Sequence, residues 1–319
     1  YERTWWSIVR WDRHNNGGFS SGEQAQGNPY HRGAIETCCT IAWMAASVEM
    51  LRLTGSSVVA DEPELSTLNS GLGLMSPSGR WVTYNTPMDG VRRASAHEIV
   101  FQAREGTPEL NCCSVNGPRG LGLLSDWAVT RSGPALLLNW YGASSIRTRC
   151  DGVTLALEQQ TEYPRDGQVA LTVNPSRPLD LELGLRIPYW SERTRVTLNG
   201  ERVRRVRPGT YLALRRRWQR GDRVDVELDM GFHFWKGERE CQRLSSLYRG
   251  PVLLTYDRRL NDVDPQQLPP LDAPTLAGTL ADSGTWLPAA VEVDVEDARG
   301  RRLRLCDFAS AGQGGAPFR

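Results

Sequence analysis

The stretch GVTLALEQQTEYPRDGQVALTVNP (residues 152–175) indicates the fold class of the larger part of this chain. On both sides of Asp166-Gly167, apolar residues alternate with polar ones, which is typical of strands with one buried face. Asp-Gly favours a tight hairpin turn, so the stretch predicts two antiparallel strands. Similar short segments, separated by turns, continue to residue 230, and together they predict a β-sandwich.

The character of the sequence changes near residue 135, before which apolar residues recur at helical spacing. The segment TCCTIAWMAASVEMLRLTG (37–55) carries apolar residues on one face and ends in glycine, a common helix stop. Further helices are predicted within 59–74 and 117–130. Four or five helices are few for a closed helical domain, so we expect an N-terminal portion to be missing.

These patterns predict a multidomain α + β protein with three regions. Residues 1–135 form the helical region, and residues 136–262 form the β-sandwich domain. Residues 263–319 contain a proline-rich linker and a last strand pair within 290–308.

Composition excludes some classes of partner. The net charge of +1 gives no overall field that would recruit nucleic acid or an anionic membrane. No apolar run reaches the roughly 18 residues needed to span a bilayer. The chain begins with Tyr1 rather than Met, so we expect a fragment or a processed form. The sequence leaves the oligomeric state open, a homodimer included.

Two cysteine doublets are the most unusual feature of the sequence. Cys38 and Cys39 follow Glu36, and Cys112 and Cys113 lie in PELNCCSVNG, where Ser114–Gly117 predicts a turn directly after them. Adjacent cysteines rarely bond to each other because disulfide geometry is demanding. An odd total of seven cysteines does not suggest a disulfide framework. The doublets could be buried small residues, halves of different disulfides, or thiolates that bind one metal ion.

A zinc ion prefers four tetrahedral ligands from thiolate, imidazole or carboxylate groups. The candidate ligands in this sequence are Glu36, Cys38, Cys112 and Cys113. Chemistry alone does not decide between a zinc site and two doublets that are buried for structural reasons. Metal-binding cysteines must stay reduced, which favours a cytoplasmic location.

Several motifs resemble the β-L-arabinofuranosidases of glycoside hydrolase family 127. They are GGFSSGE (17–23), ETC (36–38), NCCSVNGPRG (111–120), TEYPRDG (161–167) and LRIPYW (185–190). The resemblance extends from about residue 10 to about residue 235. It implies that the helical region is the C-terminal part of an (α/α) barrel, followed by a jelly-roll-like β-sandwich.

The resemblance also implies roles for individual residues. Glu36, Cys38 and Cys113 match zinc ligands, and Cys112 matches the ligand that also acts as the nucleophile. Glu23 matches the general acid/base.

Three further residues are candidates for substrate binding. Glu64 and Tyr84 fall where the family places groups that contact the sugar or support the nucleophile. His14 lies in a polar loop of the kind that suits a sugar-binding cleft. We expect Cys39 to pack within its helix.

The resemblance implies a zinc-dependent retaining glycoside hydrolase, exo-acting on a terminal β-L-arabinofuranose or a related sugar of a glycan. One alternative is a non-catalytic carbohydrate-binding or structural remnant in which zinc only joins the loops. A redox-sensing protein is a third hypothesis. Because only the last barrel helices would be present, we expect the 319-residue chain alone to be inactive.

Overall fold

The computed structural model of this chain describes residues 1–20, 24–75, 82–92, 112–268, 270–271, 276–281 and 290–319. The fold is mixed α + β, with helices concentrated in the first part of the chain and strands in the rest. The chain divides into two compact units. The first unit comprises Tyr1–Ser47, Glu62–Leu123 and Phe232–Arg319, and the second comprises Val48–Asp61 and Leu124–Gly231. The domain boundaries inferred from the sequence stay predictions.

The described residues contain five α-helices. They are α1 (Glu2–Trp11), α2 (Thr37–Thr54), α3 (Ser57–Ser66), α4 (Cys112–Gly122) and α5 (Leu124–Trp127). The helix predicted within 37–55 is confirmed, and Gly55 follows it with a φ of +58°, the left-handed conformation that ends many helices. A π-helical turn, Thr67–Gly71, follows α3. Among these described helices, none has the length and apolar character required to cross a membrane.

Helix α4 differs from its sequence-based description. The segment Ser114–Gly117 suggested a turn after the second cysteine doublet, but it is helical. Cys112 and Cys113 therefore lie in the first turn of α4, as Cys38 and Cys39 lie in the first turn of α2.

Short ladders connect the loops of the first unit. Strand β1 (Ile35–Glu36) pairs antiparallel with β2 (Asn85–Thr86), which places Glu36 opposite Asn85. Strand β3 (Gly90–Val91) pairs with β20 (Pro317–Phe318), so residues 317–318 are fixed to a segment in the first third of the chain.

The rest of the first unit is a six-stranded antiparallel sheet in the order β14-β15-β16-β19-β18-β17. Its strands are β14 (Phe232–Lys236), β15 (Ser245–Arg249), β16 (Val252–Tyr256), β17 (Gly278–Ala281), β18 (Glu292–Glu296) and β19 (Arg302–Asp307). The strand pair predicted within 290–308 is confirmed by β18 and β19. Buried residues of this sheet, among them Leu254, Val293 and Leu305, form one apolar core.

The second unit contains two sheets. The strands are β4 (Val129–Ser132), β5 (Ala135–Leu138), β6 (Ser144–Cys150), β7 (Val153–Thr161), β8 (Gln168–Pro175), β9 (Leu179–Ile187), β10 (Arg195–Leu198), β11 (Glu201–Arg202), β12 (Thr210–Trp218) and β13 (Asp222–Glu227). One sheet has the order β11-β10-β13-β8-β7-β6 and the other the order β12-β9-β5-β4. The predicted hairpin is confirmed: β7 pairs antiparallel with β8, and Leu155, Leu157, Leu171 and Val173 are buried.

A buried ion pair lies within the second unit. Arg186, in the LRIPYW segment, is fully buried, and its guanidinium donates to the carboxylate of Asp61. Arg186 Nε also donates to the carbonyl of Asn139, and the backbone N–H of Tyr189 donates to Asp61 Oδ2 at 3.2 Å. A charge without contact with water requires partners of this kind, because an unpaired buried charge is very unfavourable.

We expect Arg186→Met to lower the free energy of unfolding by about 3–5 kcal/mol, because it leaves the Asp61 carboxylate buried without its counter-ion. Arg215→Met is the matched control. Arg215 pairs with Glu182 on the same sheet, but its side chain is 78% exposed, so we expect a loss below about 1 kcal/mol. Urea unfolding of both variants measures the difference, and equal losses would contradict it.

Candidate active site

Three thiols meet where the first turns of α2 and α4 approach each other. Among the described residues, the sulfur atoms of Cys38, Cys112 and Cys113 all lie within 4.8 Å of one another. Cys38 Sγ is 3.3 Å from Cys113 Sγ, and Cys112 Sγ is 3.9 Å from Cys113 Sγ. All seven cysteines of the chain carry free thiols. The structure thus brings together three of the four predicted zinc ligands.

Two glycines allow this approach. A Cβ atom at Gly120 would lie 2.3 Å from Ile41 Cδ1, and one at Gly117 would lie 2.6 Å from Val82 Cγ1. Both distances are too short for real carbon atoms, so a side chain at either position would push α4 away from its neighbours. Ile41, Val82 and Cys113 belong to one buried apolar cluster. The glycines of NCCSVNGPRG therefore determine how closely the two sets of cysteines approach.

The three thiols have different environments. Cys113 has no exposed surface, Cys38 is half-buried and Cys112 is exposed. Their proximity opposes ionisation: the hydrogen bond with Cys38, together with burial, raises the pKa of Cys113. Burial and the interaction with Cys38 raise the pKa of Cys112 as well. Without a positive charge nearby, the cluster is therefore most stable as neutral thiols.

Glu36, the fourth predicted ligand, lies beside the cluster, but its carboxylate is not one of the grouped donor atoms. The side chain is 5% exposed, and Oε2 accepts a hydrogen bond from Cys39 Sγ at 3.2 Å. Burial, together with the Glu36 carboxylate, raises the pKa of Cys39 to about 12, so this sulfur remains a protonated donor. The expectation that Cys39 only packs within its helix is therefore incomplete, because its thiol also orients Glu36.

The backbone holds Tyr84 next to the start of α2. The backbone N–H of Thr37 donates to the carbonyl of Tyr84 at 2.9 Å, and Thr37 Oγ1 donates to the carbonyl of Thr83 at 2.7 Å. The Tyr84 side chain is 4% exposed and packs in the same apolar cluster as Cys113. The structure thus places this predicted substrate-binding residue beside the cysteines.

The remaining predicted site residues do not belong to the group of three thiols. Glu64 lies in α3 and is fully buried. His14 is buried in the loop after α1, where its backbone N–H donates to the carbonyl of Gly18 at 2.9 Å. Burial lowers the pKa of His14 to about 4, and the neighbouring His31 and Arg13 also lower it. Glu23, the predicted acid/base, lies outside the described residues.

The donor set fits a zinc ion. Four ligands at about 2.3 Å from a central ion place sulfur atoms about 3.8 Å apart, close to the separations observed here. A divalent cation would also reverse the preference for neutral thiols, because thiols that bind zinc lose their protons. Cys38, Cys112 and Cys113 could supply the sulfur ligands, and Glu36, two residues before Cys38, could supply a carboxylate.

Comparison with known proteins identifies the family of this chain. The family model described as the catalytic domain of the GH127 β-L-arabinofuranosidases matches residues 1–125. The model described as the GH127 middle domain matches residues 135–230. The chain belongs to glycoside hydrolase family 127. No curated protein matches it at the level of sequence.

Solved structures share the fold of this family 127 chain. A GH127 β-L-arabinofuranosidase from Geobacillus stearothermophilus T6 has 23% identity and a TM-score of 0.81, over 98% of this chain and 55% of that one. A GH127 β-arabinofuranosidase has 19% identity and a TM-score of 0.82, with coverages of 99% and 54%. A protein described as a glycoside hydrolase has 22% identity and a TM-score of 0.82, with coverages of 98% and 60%. The chain therefore spans little more than half the length of these relatives.

The structure adds residues to the site that the sequence analysis did not identify. Asn116 Nδ2 lies 3.2 Å from Cys38 Sγ. The backbone carbonyl of Ser20 accepts a hydrogen bond from the backbone N–H of Glu36 at 3.3 Å. Ser20 has a φ of +66°, unusual for a residue other than glycine. The sequence contains a signal for Asn116, which is four residues after Cys112. If the doublet is assigned to the start of a helix, this spacing places Cys112 and Asn116 on one face of that helix.

We expect His14 to make the free energy of unfolding pH-dependent between pH 6.5 and about 4. As the pH falls through this range, the unfolded chain takes up a proton at His14 before the folded protein does. The stability that comes from the neutral buried imidazole is therefore lost on acidification, by at most about 3 kcal/mol. Urea unfolding at about pH 7 and about pH 4.5 should show a smaller loss in His14→Gln than in wild type. Equal losses in the two proteins would contradict this assignment.

Proposed function

We propose that this chain carries the reactive centre of a zinc-dependent retaining glycoside hydrolase. The substrate would be a glycan from which a terminal β-L-arabinofuranose, or a related sugar, is removed. The observation that carries this proposal is the convergence of three thiols, of which Cys112 alone is exposed. The family assignment supports the reaction class, since both matching family models are described as β-L-arabinofuranosidase domains.

Zinc would be held by the three clustered thiols and by the carboxylate of Glu36. Zinc bound to thiols deprotonates them and so supplies thiolates at neutral pH. Glu36 is held in place by the thiol of Cys39, so its carboxylate is oriented before any ion binds. The buried Cys113 and the half-buried Cys38 suit permanent ligands, because neither is as accessible to a substrate as Cys112.

The first step of the proposed reaction uses Cys112 and Glu23. The Cys112 thiolate attacks the anomeric carbon while the bond from this carbon to the leaving oxygen breaks. Glu23, in the role that the family resemblance gives it, donates its proton to that oxygen. The product of this step is a glycosyl group joined to Cys112 Sγ and a free alcohol.

The second step reverses these roles. The Glu23 carboxylate takes a proton from a water molecule whose oxygen attacks the anomeric carbon. The bond between carbon and sulfur breaks, the sugar leaves, and Cys112 is again a thiolate. Two displacements at one carbon retain its configuration, as in retaining glycosidases that use two carboxylates.

Sugar contacts are proposed for Glu64, Tyr84 and His14. The lowered pKa keeps His14 neutral at pH 7, so its imidazole can both donate and accept a hydrogen bond. The resemblance further supports a partial (α/α) barrel for the helices and a jelly-roll-like sandwich for the sheets of the second unit.

A second candidate function is a non-catalytic module in which zinc joins α2 to α4. Glu64, Tyr84 and His14 are at most 4% exposed, which favours this alternative, because a sugar-binding group must reach its ligand. The two candidates differ in the role of Cys112. A structural site would need its sulfur only as a ligand, whereas a hydrolase needs it as the nucleophile.

We expect the purified chain to contain about one zinc ion, by elemental analysis, because the clustered thiols provide most of a tetrahedral site. Cys38→Ala and Cys113→Ala should each lose this metal. Cys150→Ala is the control, since Cys150 is buried, as Cys113 is, but lies on β6 of the second unit. A folded protein without metal, in which the clustered thiols react freely with a thiol reagent, would rule out the zinc site.

Turnover of an aryl β-L-arabinofuranoside, by a protein extended to the full length of its relatives, tests the roles of Cys112 and Glu23. Cys112→Ser should lower turnover at least about a thousandfold, because a serine hydroxyl is far harder to ionise than a zinc-bound thiol. Cys241→Ser, at a half-buried thiol that donates to the carbonyl of Tyr30, is the control and should keep full activity.

Glu23→Gln should slow glycosides with poor leaving groups much more than activated aryl glycosides, which need little protonation. If both substrate types slowed equally, Glu23 would not be the acid.

A further inference from the structure

Asn116 contributes a side-chain amide to the thiol cluster. It lies in α4, three residues after Cys113 and four after Cys112. Residues at these spacings share one face of a helix, so Asn116 lies one turn below the doublet on the side of the cysteines. From there its Nδ2 donates to Cys38 Sγ, across the boundary between α4 and α2, at 3.2 Å.

The position of this amide is fixed by its neighbours in the sequence. Gly117 follows directly, and its backbone is so close to Val82 that a Cβ atom would clash. Gly120 fixes the next turn against Ile41 in the same way. Because α4 cannot rotate or shift without losing these contacts, the amide of Asn116 stays directed at Cys38.

The contact gives one sulfur of the cluster a side-chain donor. An N–H donor stabilises negative charge on a thiolate through a charge-assisted hydrogen bond. Such donors around metal ligands fix the orientation of the ligand and raise metal affinity. Cys38 accepts this bond from the Asn116 side chain, whereas the exposed Cys112 interacts with the backbone N–H of Cys113, and Cys113 is excluded from solvent.

We propose that Asn116 is a positioning residue that orients Cys38 Sγ and stabilises its thiolate, so that Cys38 acts as a permanent metal ligand. The proposal rests on the zinc site of the proposed function. It assigns the orientation of one of the three sulfurs to a single neutral side chain. A charged donor such as lysine would oppose binding of the cation, whereas an amide stabilises the thiolate without adding charge.

Three substitutions at position 116 test the proposal. Asn116→Asp is nearly isosteric but replaces the donor with an anionic acceptor, Asn116→Ala removes the side chain, and Asn116→Gln keeps the amide on a longer stem. Val115→Ala is the matched control, because Val115 is the adjacent residue of α4 and is 73% exposed. Circular dichroism and thermal unfolding establish that each variant is folded.

The first measurement is Zn²⁺ affinity, by competition with a chromophoric chelator. We expect affinity to fall about 10–100-fold in Asn116→Ala. Asn116→Asp should lose more, Asn116→Gln should recover part of the loss, and Val115→Ala should match wild type. The same zinc affinity in Asn116→Ala, Asn116→Asp and wild type would overturn the proposal.

The second measurement is the rate at which iodoacetamide alkylates Cys38 and Cys112 in the metal-free protein, by mass spectrometry at one pH. The thiolate is the form that reacts, and the amide stabilises the thiolate of Cys38. Loss of the amide donor should therefore lower the rate at Cys38 relative to that at Cys112, and an unchanged ratio would overturn the proposal. Neither measurement requires turnover. Activity is measured in a protein extended to the length of its relatives. If Asn116→Ala weakens zinc binding but the extended wild-type protein hydrolyses no arabinofuranoside, the role of Asn116 is supported and the proposed function is contradicted. If the extended Asn116→Ala protein loses turnover while its zinc affinity stays normal, the proposed function is supported and the role of Asn116 is contradicted.

Discussion

The close approach of α4 to α2 is the constraint on which the rest of the site depends. It requires that Gly117 and Gly120 carry no side chain, since a Cβ atom at either position would overlap Val82 or Ile41. With that approach, cysteines 75 residues apart in the chain come to 3.3 Å. If the two helices moved apart by the width of one carbon atom, the sulfurs would be too far apart to bind a single ion. The glycines therefore matter as much to the metal chemistry as the cysteines do.

A second set of contacts fixes the residues around the cluster. Strand β1 ends in Glu36 and pairs with β2, and the loop that continues from β2 reaches β3, which pairs with the C-terminal strand β20. Arg92, directly after β3, donates to the carbonyl of Phe308 at 2.8 Å and lies over the rings of Phe308 and Phe318. Burial lowers the pKa of Arg92 to about 10, and the side chain is held by backbone carbonyls and aromatic faces. The last strand of the chain thus stabilises the ladder that positions Glu36.

Much of this architecture could be predicted from the sequence, because local periodicity decides it. Alternation identified the β7–β8 hairpin, and a 3.6-residue period identified α2. The ligand doublet was found from its composition, but its helical conformation was missed because Ser-Val-Asn-Gly is rich in turn-forming residues. Packing of Gly120 against Ile41 of α2, and of Gly117 against Val82, overrides that preference. The hydrogen bond between Cys39 and Glu36 was also missed, since it depends on the direction of two neighbouring side chains at a strand–helix junction.

The helical conformation of the doublet also explains why two adjacent cysteines suit this site. Adjacent residues in a strand point to opposite faces of a sheet, so their sulfurs could not approach one ion together. Adjacent residues in an α-helix differ by about 100° in direction. At that angle two neighbouring sulfurs can converge, here to 3.9 Å, while one of them faces the core and the other faces solvent. Cys113 therefore becomes the buried sulfur and Cys112 the exposed one, and the first turn of a helix is enough to give two identical side chains different chemical roles.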